Sequence, residues 1–119
     1  MNFPQLEKLT EDLSDSQLDE IIRTLKYGKD TSKENRFDKL HIVYNAKEED
    51  ILIAIQKIKL ELHDKLNELS IEKLNKLADL MGIGFLNEPE DKKEMILILS
   101  TEKPAKIEDA LKKLNKIVS

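Results

Sequence analysis

Residues 13–28 read LSDSQLDEIIRTLKYG, and residues 69–84 read LSIEKLNKLADLMGIG. Both stretches open on Leu-Ser and close on Gly. In each, apolar residues fall at i, i+3, i+4 and i+7: Leu18, Ile21, Ile22 and Leu25 in the first, Leu74, Leu77, Ala78 and Met81 in the second. That spacing lines four side chains along one face of a 3.6-residue helix, whereas a strand would send neighbouring side chains to opposite faces. A chain built on this phrase is committed to short amphipathic helices. Each has an apolar stripe that must be covered by another helix.

The likeness runs beyond the phrase. Displacing the chain by 56 positions sets residues 13–58 on 69–114 without a gap. Leu13/Leu69, Ser14/Ser70, Leu18/Leu74, Gly28/Gly84, Glu34/Glu90, Ile51/Ile107 and Ala54/Ala110 are identical pairs, concentrated at apolar and turn positions. One such unit has too few layers to bury its stripes, so two are expected to share a core. The expected fold is all-α, a compact bundle of six to seven short helices built from two tandem pseudo-repeats (about 13–58 and 69–114). As one domain over 1–119, it comprises an N-terminal helix at 2–12, a first repeat unit at 13–68 and a second at 69–119.

Local signals place the elements. Asn2 can cap the first helix and Pro4 suits its first turn, with Phe3, Leu6 and Leu9 sharing a face. Ser14 and Gln17 have capping-box spacing, as do Thr31 and Glu34, which are expected to open a third helix through Phe37, Leu40, His41 and Tyr44. Residues 46–69 read as one long helix with Ile51, Ile55, Ile58, Leu62, Leu66 and Leu69 along one side. Ser70 caps the next helix, Gly82 and Gly84 end it, and Pro89 stands near the start of another. Ile107, Leu111 and Leu114 are in phase on the last. HIVYN and MILILS occupy matching positions and are strand-like in composition. Two strands alone make a poor sheet, and the lysine-rich EDKKEM leads into a helix, so helices are favoured at both.

Chemistry-bearing patterns are sparse. There is no Cys, so disulfides and thiolate metal sites are excluded and a reducing cytoplasm is the expected compartment. No signal-like start is present. The longest apolar run, Met95–Leu99, falls far short of the roughly 18 residues a membrane span needs. His41 and His63 lack any metal-ligand spacing, and neither is expected to bind metal or catalyse. Glu48, Glu49 and Asp50 are explained by a helix N-terminus, which favours anions. Gly82-Ile83-Gly84 follows a helix and lacks the third glycine of a dinucleotide loop. An enzyme using surface carboxylates would need a pocket with displaced pKa values, and no spacing here specifies one. No cofactor is expected.

Charge argues against polyanions. Twenty-four acidic residues against twenty basic give a net charge of −4, with the signs interspersed. Lys92-Lys93 and Lys112-Lys113 each stand beside acids, so neither offers the local positive excess that phosphate binding requires. The five aromatic residues are expected to be structural, leaving no base-stacking platform.

The cadence LSIEKLNKLADLMGI…DKKEMILIL resembles two groups of small helical modules. One is the death-fold-like group, including death effector domains and the effector-associated domains of prokaryotic conflict systems. The other is the SAP-like helix-extension-helix group. The first resemblance implies a non-enzymatic protein-protein interaction module, an adaptor or small regulatory subunit, whose partner is another protein or a second copy of itself. The second implies nucleic-acid binding, which the acidic surface disfavours. The candidate partner surface is Phe85 and Leu86 with the neighbouring Lys92 and Lys93. It lies where the second copy's post-glycine loop is apolar and the first copy carries Lys29 and Asp30. The alternative for Phe85 and Leu86 is a hydrophobic contact folded back on the helix end.

Overall fold

The computed structural model describes residues 2–25, 33–83 and 91–118. Among these described residues are seven helices and no strand: α1 Phe3–Thr10, α2 Asp15–Thr24, α3 Arg36–Val43, α4 Glu48–Asn67, α5 Ile71–Leu80, α6 Lys92–Ser100 and α7 Pro104–Val118. The chain divides into two compact units, Met1–Ile58 and Lys59–Ser119, and α4 runs through the boundary. None of the described helices is long and apolar enough to cross a membrane.

In the first unit, α1 opens with a reciprocal capping box. The Asn2 side chain accepts from the Gln5 N–H at 2.9 Å, and the Gln5 side chain accepts from the Asn2 N–H at 2.9 Å. Leu6 is fully buried. Thr10 is buried as well, its hydroxyl donating to the Leu6 carbonyl at 2.8 Å, so that no polar group is stranded. Ser14 and Gln17 repeat the reciprocal cap on α2, which is why a glutamine can be buried there: its amide oxygen accepts from the Ser14 N–H. Leu18, Ile21 and Ile22 turn inward, and α2 packs on α3.

The third helix starts later than the sequence spacing suggests. Its cap is Asn35, whose side chain accepts from the Asp38 N–H at 2.8 Å, so Glu34 precedes the helix and does not sit in its first turn. Asn caps as well as Thr or better, and here it directly precedes Arg36. Thr31 lies outside the described residues. The long helix likewise begins and ends two residues inside the expected 46–69. It buries Ile51, Ala54, Ile55 and Ile58 in the first unit, and Leu62 and Leu66 in the second.

In the second unit, Ser70 caps α5, accepting from the Lys73 N–H at 3.3 Å, and α5 packs against α6 and α7. The helix ends in a Schellman motif. The Gly82 N–H donates to the Asp79 carbonyl at 3.1 Å and the Ile83 N–H to the Ala78 carbonyl at 2.9 Å, with Gly82 at φ +71°. Gly28 and Gly84 lie outside the described residues. HIVYN contributes the last turn of α3 and MILILS lies in α6, so both strand-like segments are helical. They bury Val43, and Met95, Ile96 and Leu99. Lys92 donates its Nζ to the Asn67 carbonyl, tying the start of α6 to the last turn of α4.

Candidate aromatic surface

α3 carries two distinct faces. Lys39, Leu40 and Val43 are buried, whereas Phe37, His41 and Tyr44, at i, i+4 and i+7, are exposed. The capping box of α1 sets Phe3 at the first helical position, from which its ring reaches all three. Ring centroids lie 5.5 Å from Phe3 to Phe37, 4.9 Å to His41 and 6.0 Å to Tyr44, and Phe37 and His41 are 4.3 Å apart. In each of these four pairs the rings are tilted rather than stacked face to face, which their quadrupoles disfavour. His41 Nδ1 lies 3.2 Å from the Phe37 carbonyl and donates to it when that nitrogen carries the proton.

Phe37 retains 59% of its surface and Tyr44 40%, so this cluster is an open surface and not a core. Burial drives aromatic packing, and a residue as large as Phe left mostly in water gains little from folding alone. Beside the rings lies an open groove of about 730 Å³. Phe3, Pro4, Phe37 and Leu40 give it an apolar lining, and Glu7, Lys8, Glu11 and Arg36 surround that lining with charge.

The charges around the groove are not equivalent. Arg36 is already committed: its guanidinium bonds Asp15 at 3.1 Å and donates to the Thr10 carbonyl at the end of α1. Among the described residues no cation pairs with Glu7 or Glu11, which stand one turn apart on α1. A second depression of about 410 Å³ shares Lys8 and Glu11 with the groove and brings in Leu9 and Glu48.

The candidate partner residues read from the sequence belong to the second half of the chain. Phe85 and Leu86 lie outside the described residues. Lys92 is half-buried and engaged with the Asn67 carbonyl, and Lys93 is exposed. His63 is exposed on α4, with Nδ1 3.3 Å from the Asn67 side-chain nitrogen. The expectation that the aromatics are structural is corrected for Phe37 and Tyr44, both of which face solvent. The missed signal was available: Phe37, His41 and Tyr44 share a stripe on α3, and the buried stripe is made by other residues.

Among the described residues no group of three or more His, Asp or Glu side chains is placed to hold a metal ion. Comparison with known proteins adds no name to this surface: no family model, no curated protein and no solved structure matches the chain.

Proposed function

We propose that this chain is a protein-protein interaction module, an adaptor or small regulatory subunit, that docks its partner on the aromatic surface of the first unit. The observation that carries this reading is the exposure of Phe37 and Tyr44 around Phe3 and His41, next to an open apolar groove. Large exposed aromatics ringed by polar groups are the usual anchors of protein interfaces. The reading agrees with the resemblance to death-fold-like adaptors.

A duplicated origin is part of the same proposal. The helices of the two halves start at Asp15 and Ile71, Arg36 and Lys92, and Glu48 and Pro104, each pair 56 positions apart. Buried positions keep the same offset: Leu18 and Leu74, Ile21 and Leu77, Val43 and Leu99, Ile51 and Ile107, Ala54 and Ala110. Phe37, His41 and Tyr44 correspond to Lys93, Leu97 and Ser100. On this reading the halves share a scaffold and differ on the surface proposed for binding.

The test is capture with a built-in control. The full chain and its Phe37→Ala variant are immobilised in parallel and exposed to lysate of the source cells, and self-association is measured separately. A stoichiometric partner retained by the wild type and lost from the variant supports the reading. A partner held equally by both moves the interface off this surface. No partner and no self-association overturns the module reading, and so does retention of nucleic acid alone at low salt.

A further inference from the structure

We propose that the groove between α1 and α3 takes a cationic amphipathic segment of the partner protein. Its apolar side chains would lie against Phe3 and Phe37, and its lysine or arginine side chains over Glu7 and Glu11. This rests on the interaction-module reading and names the chemistry of the partner.

The charge arrangement of α1 carries the inference. Glu7 and Glu11 are i, i+4 neighbours, and like charges at that spacing repel and destabilise a helix. Glu11 is also the C-cap residue of α1, the end where the backbone carbonyls make a carboxylate unfavourable. Among the described residues no ion pair offsets either effect. Among the described residues neither carboxylate has a cation partner, and Arg36, which lines the same groove, is taken by Asp15 and the Thr10 carbonyl. Lys8 supplies the groove's one uncommitted positive charge among the described residues, set against Glu7, Glu11 and the adjoining Glu48.

The wider field has the same sign. Residues 1–58 hold twelve acidic and nine basic side chains, which accounts for −3 of the chain's net charge of −4. Such a field steers positively charged partners and repels acidic ones and polyanions. The exposed rings add a cation-selective element, because the face of an aromatic ring attracts lysine and arginine. An apolar trough flanked by carboxylates and aromatic faces therefore complements an amphipathic helix with one basic side.

The experiment titrates the isotope-labelled full chain with a synthetic peptide of leucine and lysine at helical spacing, and with its leucine-glutamate counterpart. Amide shifts confined to α1 and α3 with the lysine peptide, and none with the glutamate peptide, are expected. Phe37→Ala and the double variant Glu7→Gln, Glu11→Gln should each weaken binding about tenfold. Binding should also weaken as salt rises. Glu11→Gln should raise the melting temperature while lowering affinity, a combination that a purely structural role would not produce. Shifts scattered over acidic residues of the whole chain and unchanged by Phe37→Ala would overturn the proposal, as would equal binding of the two peptides. Failure of the lysine peptide alongside a captured partner that needs Phe37 would remove the cationic segment and leave the module reading standing. Absence of any Phe37-dependent partner would remove both.

Discussion

Lys39 Nζ lies 3.0 Å from one carboxylate oxygen of Asp19 and 3.1 Å from the other, and the lysine side chain is only 3% exposed. The ammonium also reaches the Asp15 carbonyl at 3.4 Å. Groups on α2 thus receive the buried lysine, and the pair pins α3 to α2. Removing one partner of a buried pair leaves the other charge without compensation. Asp19→Ala is expected to destabilise the protein by about 3 kcal/mol, at the lower end for such a loss because Asp19 keeps some solvent contact. Lys39→Met should lose less, since methionine fills the volume and the carboxylate it leaves unpaired, Asp19, is still 21% exposed to water. The residue 56 positions on, Met95, is a methionine buried in α6. Urea denaturation of both variants checks this, and a Lys39→Met loss as large as that of Asp19→Ala would contradict it.

The two serine caps should separate by their partners. Ser14 shares a reciprocal box with the buried Gln17, whereas Ser70 only accepts from a backbone N–H. Ser70→Ala is expected to cost about 1 kcal/mol, and Ser14→Ala more, because it removes one half of a pair that holds a buried amide. Thermal unfolding of the two single variants gives the order.

Gly82 isolates a pure backbone effect. It sits at φ +71°, and a Cβ added there would meet nothing within 4 Å. Gly82→Ala should therefore destabilise by about 1–2 kcal/mol through conformation alone. Gly82→Asn should lose less, because asparagine enters the left-handed region more readily. Equal losses for Ala and Asn in equilibrium unfolding would show that the turn does not set the difference.

The groove should pair low stability effects with large binding effects. Phe37→Ala removes an exposed ring and is expected to change stability by no more than about 1 kcal/mol. Leu6→Ala empties a fully buried site one helix away and should lose about 2–5 kcal/mol. Glu11→Gln is expected to gain about 0.3–1 kcal/mol by relieving its repulsion with Glu7 and with the end of α1. Chemical denaturation of the three variants in one buffer tests the ordering.

The helices were legible because their signals are local. Leu18, Ile21, Ile22, Leu74, Leu77 and Ala78 lie within single turns of one another, and caps such as Ser14 and Ser70 act within three residues, so spacing alone specifies them. HIVYN and MILILS were legible as helices only through their flanks, since apolar runs of three and five residues fit either period. The cap at Asn35 was missed because Thr31 and Asn35, both of capping residue types, stand four residues apart, and spacing alone does not choose between them.

What the sequence determined by itself was the helical content, most boundaries and the inward stripe of most helices, α3 excepted, all products of short-range periodicity and capping. What only the tertiary structure decided was which second stripe stays outside. Phe3 and Phe37 are 34 positions apart in the chain yet 5.5 Å apart at their ring centroids, and Lys39 is buried only because Asp19 is there to receive it. Burial and charge compensation are properties of the neighbours a side chain finds after folding. For these residues the deciding neighbours come from other helices, far beyond the reach of any local spacing.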